Sequence, residues 1–133
     1  MKHIGRILLH LALSLIVIAV IALGAVSASI GFGVNRACKD AQKSYSGDCV
    51  DALTGQLTDE KSTFRTRNTA IWALGQLGDS RALPALRRYY TGKIPPREPI
   101  DAGISQYELK KAIHLLEGGI NITAVFWRYG MTK

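Results

Sequence analysis

From Ile7 to Val26 every position is apolar except His10, Ser14 and Gly24, and no Asp, Glu, Lys or Arg occurs between Arg6 and Arg36. A helix of about 20 residues rising about 1.5 Å per residue spans roughly 30 Å, the thickness of a bilayer hydrocarbon core. A helix on the surface of a soluble domain needs a polar stripe, and this run has none. The pattern therefore predicts a membrane helix over 7–26 or the apolar part of a signal sequence. Lys2 and Arg6 form a basic start, and Ala25-Val26-Ser27-Ala28-Ser29 offers small residues for cleavage near Ala28. The apolar part of a cleaved signal is usually about 7–15 residues long, which favours an uncleaved anchor here. Cys38 follows Asn35-Arg36-Ala37, whose charge argues against a lipoprotein.

After residue 30 the periodicity becomes helical, and no stretch alternates over strand length. A short helix is expected over 35–45, closed by Ser46-Gly47. Asp48 then suits an N-cap for a helix over 49–57, with Val50, Leu53 and Leu57 on one face. A polar turn over 58–62 leads into the strongest helix, 63–77, whose Phe64, Ala70, Ile71, Ala73, Leu74 and Leu77 cover about half its circumference. Gly78 ends that helix and Asp79 can cap the next, over 80–90. Pro84 sits several residues past that cap. Either a tight turn precedes it and Pro84 starts the helix proper, or the helix bends.

A shift of 33 residues lays Val50, Leu53 and Leu57 over Leu83, Leu86 and Tyr90; a shift of 41 lays Ile71 and Leu74 over Ala112 and Leu115. Two helix pairs, 48–77 and 80–118, therefore follow each other, separated in the second by a Pro-rich turn over 92–100 that is expected to protrude. Periods in this range belong to stacked helical hairpins, which usually need at least three copies to bury their faces. Two copies call for end covers: 35–45 for the first pair and the aromatic stretch 121–130 for the second.

Residues 66–86, TRNTAIWALGQLGDSRALPAL, resemble the junction of two HEAT-type repeats, in the variety also found in phycobilisome-lyase-like proteins. The resemblance runs from Thr66-Arg67 through the 70–74 core and the Leu77-Gly78-Asp79 break into Arg81-Ala82-Leu83-Pro84. It implies an all-α fold: an N-terminal anchor or signal over 1–30, then a short α-solenoid of HEAT-like hairpins over 31–133. It also implies a structural role for Arg67, bonded to turn carbonyls or a turn aspartate such as Asp59, and a bent outer helix at Pro84. The mode of action it implies is binding through a stacked helical surface.

Charge adds orientation more than ligand. Basic residues precede the apolar run and none occurs in 27–35, so the positive-inside rule leaves the N-terminus in the cytoplasm and the body outside; Arg36, Lys39 and Lys43 oppose this from farther away. The expected location is the cytoplasmic membrane of a bacterial-type cell, single-pass with an extracytoplasmic C-terminal domain, or secretion after cleavage. Beyond residue 30 stand 15 Lys and Arg against 10 Asp and Glu, an excess that suits anionic surfaces or acidic partners or is simply a solvated face. Nucleic acid is a poor partner for an outward-facing body.

No catalytic, metal or cofactor constellation emerges. His3 and His10 belong to the anchor region, and His114 shares a helix face with Lys110 and Glu117 without a metal-ligand neighbour. Asn121-Ile122-Thr123 forms a glycosylation triplet of the kind that arises by chance. Ten residues separate Cys38 from Cys49, a spacing unlike a zinc knuckle or a CxxC pair. Outside the cytoplasm they would form a disulfide joining the first two helices; inside it they would be free thiols.

The candidate contact surface is the basic and aromatic cluster Arg87, Arg88, Tyr89 and Lys93, rich in types enriched at binding hot spots, together with the adjoining 92–100 turn. Its plainer reading puts Tyr90 in the core and the arginines in water. Trp72 lies outside the apolar arc of its helix and either packs on a neighbouring helix or serves as an exposed anchor. The expected function is a membrane-tethered, non-catalytic module that binds another protein. The alternative is an accessory subunit of a membrane enzyme complex, in which His10 and Ser14, four apart on the apolar helix, make contacts within the bilayer.

Overall fold

A single helix, α1, runs without a break over Lys2–Gln42 in a computed structural model that describes residues 2–128. The helix expected over 35–45 is not a separate element but the last part of α1, so residue 30 lies within a continuous helix. Every residue from His3 to Val26 is exposed, and burial begins at Ser27. Beyond that point Val34, Ala37, Cys38 and Ala41 join the core at helical spacing. One helix thus has an uncovered N-terminal part and a packed C-terminal part. This is the helix long and apolar enough to cross a membrane.

Four further α-helices follow: α2 over Cys49–Thr58, α3 over Phe64–Leu77, α4 over Leu83–Tyr89 and α5 over Gln106–Leu116. No strand occurs among the described residues. Their ends are set locally. Asp48 caps α2 by accepting from Asp51 N–H, while the Asp51 carboxylate accepts from Asp48 N–H. Thr63 caps α3, and Gly78 closes it in the left-handed region at φ 68°. A 3-10 turn over Ser80–Ala82, capped by Asp79, then places Pro84 in the first turn of α4, where its missing N–H costs nothing. Of the two arrangements open to Pro84, the tight turn is the one found.

Packing produces two layers. α1, α3 and α5 lie side by side in one layer, with α2 and α4 in the other. Ala52, Leu53, Leu57, Ala70, Ile71, Ala73, Leu74, Leu86 and Leu109 are fully buried between them. Contact within the first layer is close because glycines sit where the helices meet. A Cβ built on Gly33 of α1 would come within 2.9 Å of the Trp72 ring, and one on Gly75 of α3 within 2.8 Å of the Ala112 backbone in α5. The outer half of α1 is therefore the first helix of that layer, more than the end cover expected from 35–45.

Residues 121–130 were expected to cover the second pair; 129 and 130 lie outside the described residues. The rest forms a 3-10 turn over Ile122–Phe126 that returns to α1 and the end of α3. Trp127 lies against Gly31, Asn121 Nδ2 donates to Gln76 Oε1 at 2.8 Å, and Arg128 donates to Gln76 O. The segment covers the side of the solenoid next to the apolar helix.

Candidate partner-binding groove

Arg65, Asn68, Thr69 and Trp72 recur along α3 at spacings of three and four, on one face of that helix. Facing them are Ile94, Pro95, Pro96 and Ile100 from the loop after α4, and Tyr107 and Glu108 from the start of α5. Together they enclose an open groove of about 620 Å³.

The loop over 92–100 is exposed along most of its length and is tied down at several points along the connection. Asn68 is 5% exposed; its Nδ2 donates to Ile100 O and Gly103 O, and its Oδ1 accepts from Ser105 N–H, all at 2.9 Å. Arg65 donates through Nε and a terminal nitrogen to both Asp101 oxygens at 2.9 Å. At the N-terminus of α5 the Glu98 carboxylate accepts from Ser105 Oγ and Gln106 N–H at 2.7 Å and from Tyr107 N–H at 3.1 Å. Burial works against the charge on Glu98, but these donors prevail and hold its carboxyl below the usual range. The Gln106 Oε1 accepts from Thr91 N–H and Oγ, tying the other end of the loop. The polar groups around the groove are thus largely committed to the loop. What they leave for a ligand is a stationary apolar and aromatic surface.

Of the expected contact surface, this groove takes in the 92–100 turn, through Ile94, Pro95, Pro96 and Ile100, and Trp72. Its ring also packs on Gly33, so both readings of it hold in part. Arg87 is exposed and paired with Glu117, the residue that follows α5 as its C-cap. Tyr89 is half-buried, its ring 5.2 Å from the Arg67 guanidinium. Arg88 and Lys93 are exposed. Of the expected cluster, Tyr89 packs beside Arg67 and Arg87 pairs with Glu117, while Arg88 and Lys93 are exposed and are not among the groove's lining residues. The walls from α3 other than Trp72, and those from α5, were missed because they meet the 92–100 turn only through a 16-residue connection. Two signals for it stand in the sequence: a buried-face asparagine in α3, and Ser105 followed three residues later by Glu108, which caps α5.

Arg67 is buried and donates from Nε to Leu57 O at 2.8 Å. The resemblance allowed a turn carbonyl or Asp59, and the carbonyl is the partner. Asp59 instead accepts from the Tyr45 hydroxyl at 2.7 Å, which together with Lys61 N–H lowers its carboxyl below the usual range. Cys38 and Cys49 are joined across the α1–α2 turn with Cα atoms 5.2 Å apart. His114 is exposed on α5, and no group of three or more His, Cys, Asp or Glu suited to a metal occurs among the described residues.

Helices alternating between two layers, capped at each turn and stacked through small residues, define an α-solenoid of helical hairpins. Residues 19–97, more than half of the chain, match HEAT repeats, and the protein belongs to that family. The matched span begins inside the apolar half of α1, consistent with α1 serving as a repeat helix. No curated protein and no solved structure matches the chain.

Proposed function

We propose that this protein is a membrane-tethered HEAT-repeat module that binds another protein and performs no chemistry itself. HEAT repeats commonly act in protein–protein interaction. The observation that carries the proposal is the groove: Trp72 and Tyr107 stand opposite a Pro-rich loop that is already hydrogen-bonded in place, so a partner meets a preorganised aromatic surface. Tethering is supported by α1, uncovered from His3 to Val26. The basic residues before the apolar run favour an extracytoplasmic body. The likeness of 66–86 to phycobilisome-lyase-type repeats contributes architecture only, since fold does not carry an activity with it.

The test is co-purification from membranes of the native host with the full chain. Tyr107→Ala and Ile94→Ser change exposed groove walls and should lose the partner while the helical spectrum is retained. Arg88→Glu should keep it. Retention by both groove variants, with loss only when the 7–22 stretch of α1 is replaced by an artificial Leu/Ala sequence, would replace this reading with the accessory-subunit one. His10 and Ser14, both exposed on α1, are the groups that reading would use.

A further inference from the structure

Where the apolar half of α1 ends, the chain returns to it. The Ile122–Phe126 turn packs on α1, and Phe126 and Trp127 share a cleft of about 450 Å³ with Gly24, Ala28, Gly31 and Phe32. Gly24 belongs to the apolar run that ends at Val26. At about 1.5 Å per residue, Ala28 stands roughly 3 Å and Phe32 roughly 9 Å past that end. The headgroup layer on each side of a bilayer is about 5–7 Å deep. The turn therefore sits at the level where a membrane-spanning α1 would leave the hydrocarbon.

We propose that residues 120–127 form a foot that beds in the membrane surface, inserting Ile122, Val125 and Phe126 beside Phe32 among the lipid headgroups and ester carbonyls. The proposal rests on the reading of α1 as a membrane helix. Ile120 is 87% exposed, Phe32 77%, Phe126 65%, Ile122 63% and Val125 62%. These side chains adjoin the uncovered helix, whereas exposed apolar residues on soluble surfaces are scattered singly. From Gly118 to Trp127 there is no charged residue, so nothing in the segment resists insertion.

The display is rigid. Asn121 Oδ1 accepts from Ala124 N–H at 3.2 Å and from the Thr123 hydroxyl at 2.8 Å, and its amide holds Gln76. Ala124 and Ser27 are buried at 1% exposure, leaving the turn's opposite edge to face outward. A Cβ on Gly31 would meet the Trp127 ring at 2.9 Å, so only a glycine there lets the foot lie so close to the helix. Farther out on α1, exposed Arg36, Lys39 and Lys43 outnumber Asp40, which suits anionic headgroups. A helix and a foot together fix the tilt of the repeat domain over the bilayer, which a single helix leaves free.

Depth-dependent quenching tests this with the full chain in vesicles of phosphatidylcholine and phosphatidylglycerol. A nitrobenzoxadiazole label is placed on Val125→Cys, on Val17→Cys or on Lys93→Cys, all exposed positions. Doxyl-phosphatidylcholine carries the quencher either near the ester carbonyls or near the chain ends. The Val125 label should lose emission to the shallow quencher more than to the deep one, the Val17 label the reverse, and the Lys93 label to neither. A quenched Val17 label with an unquenched Val125 label would overturn the foot while leaving the membrane helix standing. An unquenched Val17 label would remove the membrane reading and the foot with it. If the Val125 label is shielded from both quenchers and becomes exposed on dilution of the protein among vesicles, a second copy covers the face, and the proposal fails.

Discussion

Gly75 and Ala112 face each other across α3 and α5 so closely that a Cβ on Gly75 would come within 2.8 Å of the Ala112 Cα and 2.9 Å of its Cβ. Backbone, unlike the end of a long side chain, cannot swing aside. Gly75→Ala would gain about 1 kcal/mol of helix propensity but overpack the layer at about 1–3 kcal/mol. A net loss of stability is expected, read as a lower urea midpoint. A raised midpoint would mean that α5 does not lie where the two-layer packing puts it.

Arg67 is buried, with its Nε bonded to a last-turn carbonyl of α2 and its guanidinium carbon over the Tyr89 ring, 5.2 Å from the ring centre. The helix leaves that carbonyl without a partner of its own. Arg67→Ala should cost about 1.5–3 kcal/mol. Arg67→Lys should recover only part of this, since an ammonium cannot both stack and donate through a fixed fork. Equal stability of Lys and Arg at this position would contradict the stacking account.

Arg81 binds Asp79 at 2.9 Å and Asp48 at 2.7 Å, joining the start of α2 to the α3–α4 turn. The Arg81 side chain is the main cause lowering the Asp79 carboxyl; Asp51 N–H, then Arg81, lowers that of Asp48. A carboxyl depressed in the folded state stabilises fully above its unfolded pKa, and that contribution is lost as pH falls through the folded one. Thermal stability should therefore fall on the acid side of the ordinary carboxylate range. Arg81→Gln should show a smaller acid drop, with a residue left by Asp51. An identical drop in both proteins would assign the acid sensitivity elsewhere. These pairs are solvent-exposed, so high salt should shrink the difference.

Cys38 and Cys49 close a short loop with a Cα separation of 5.2 Å. In an extracytoplasmic body the bond should be formed, and on the loop-entropy model its reduction should lower stability by about 3 kcal/mol. Alkylation of protein taken directly from cells should label neither thiol until reductant is added. Labelling of both without reductant would count against the bond and against the outward orientation.

The caps and breaks were legible because they depend on single residues whose chemistry acts within a turn or two. Asp48, Gly78, Asp79 and Pro84 each do what local rules require. The buried faces of α2 and α3 followed from helical spacing for the same reason. Continuity of α1 was not legible: glycines at 31 and 33 have low helix propensity, so local rules alone do not carry the helix from the apolar run into 35–45. Their reason lies in distant chain: Trp127 and Trp72 fill the spaces they leave. The groove was hidden likewise, since its loop is fixed by Asn68 and Glu98 across gaps in sequence that no periodicity spans. The pairing of Arg87 with Glu117 and the placing of the Tyr89 ring beside Arg67 were not legible, because composition cannot distinguish an arginine in water from a paired one, nor a free tyrosine from one beside a cation.

The central claim is that a protein partner occupies the groove of a membrane-tethered repeat domain. It is tested most directly by a photoreactive amino acid placed in the full chain at Tyr107, irradiated in membranes of the native host, with the exposed Lys110 and Ser14 positions as comparisons. The account predicts one discrete heterologous protein adduct from position 107 and none from 110. An adduct from position 14 alone, with nothing captured at 107, would contradict it and move the contact into the bilayer.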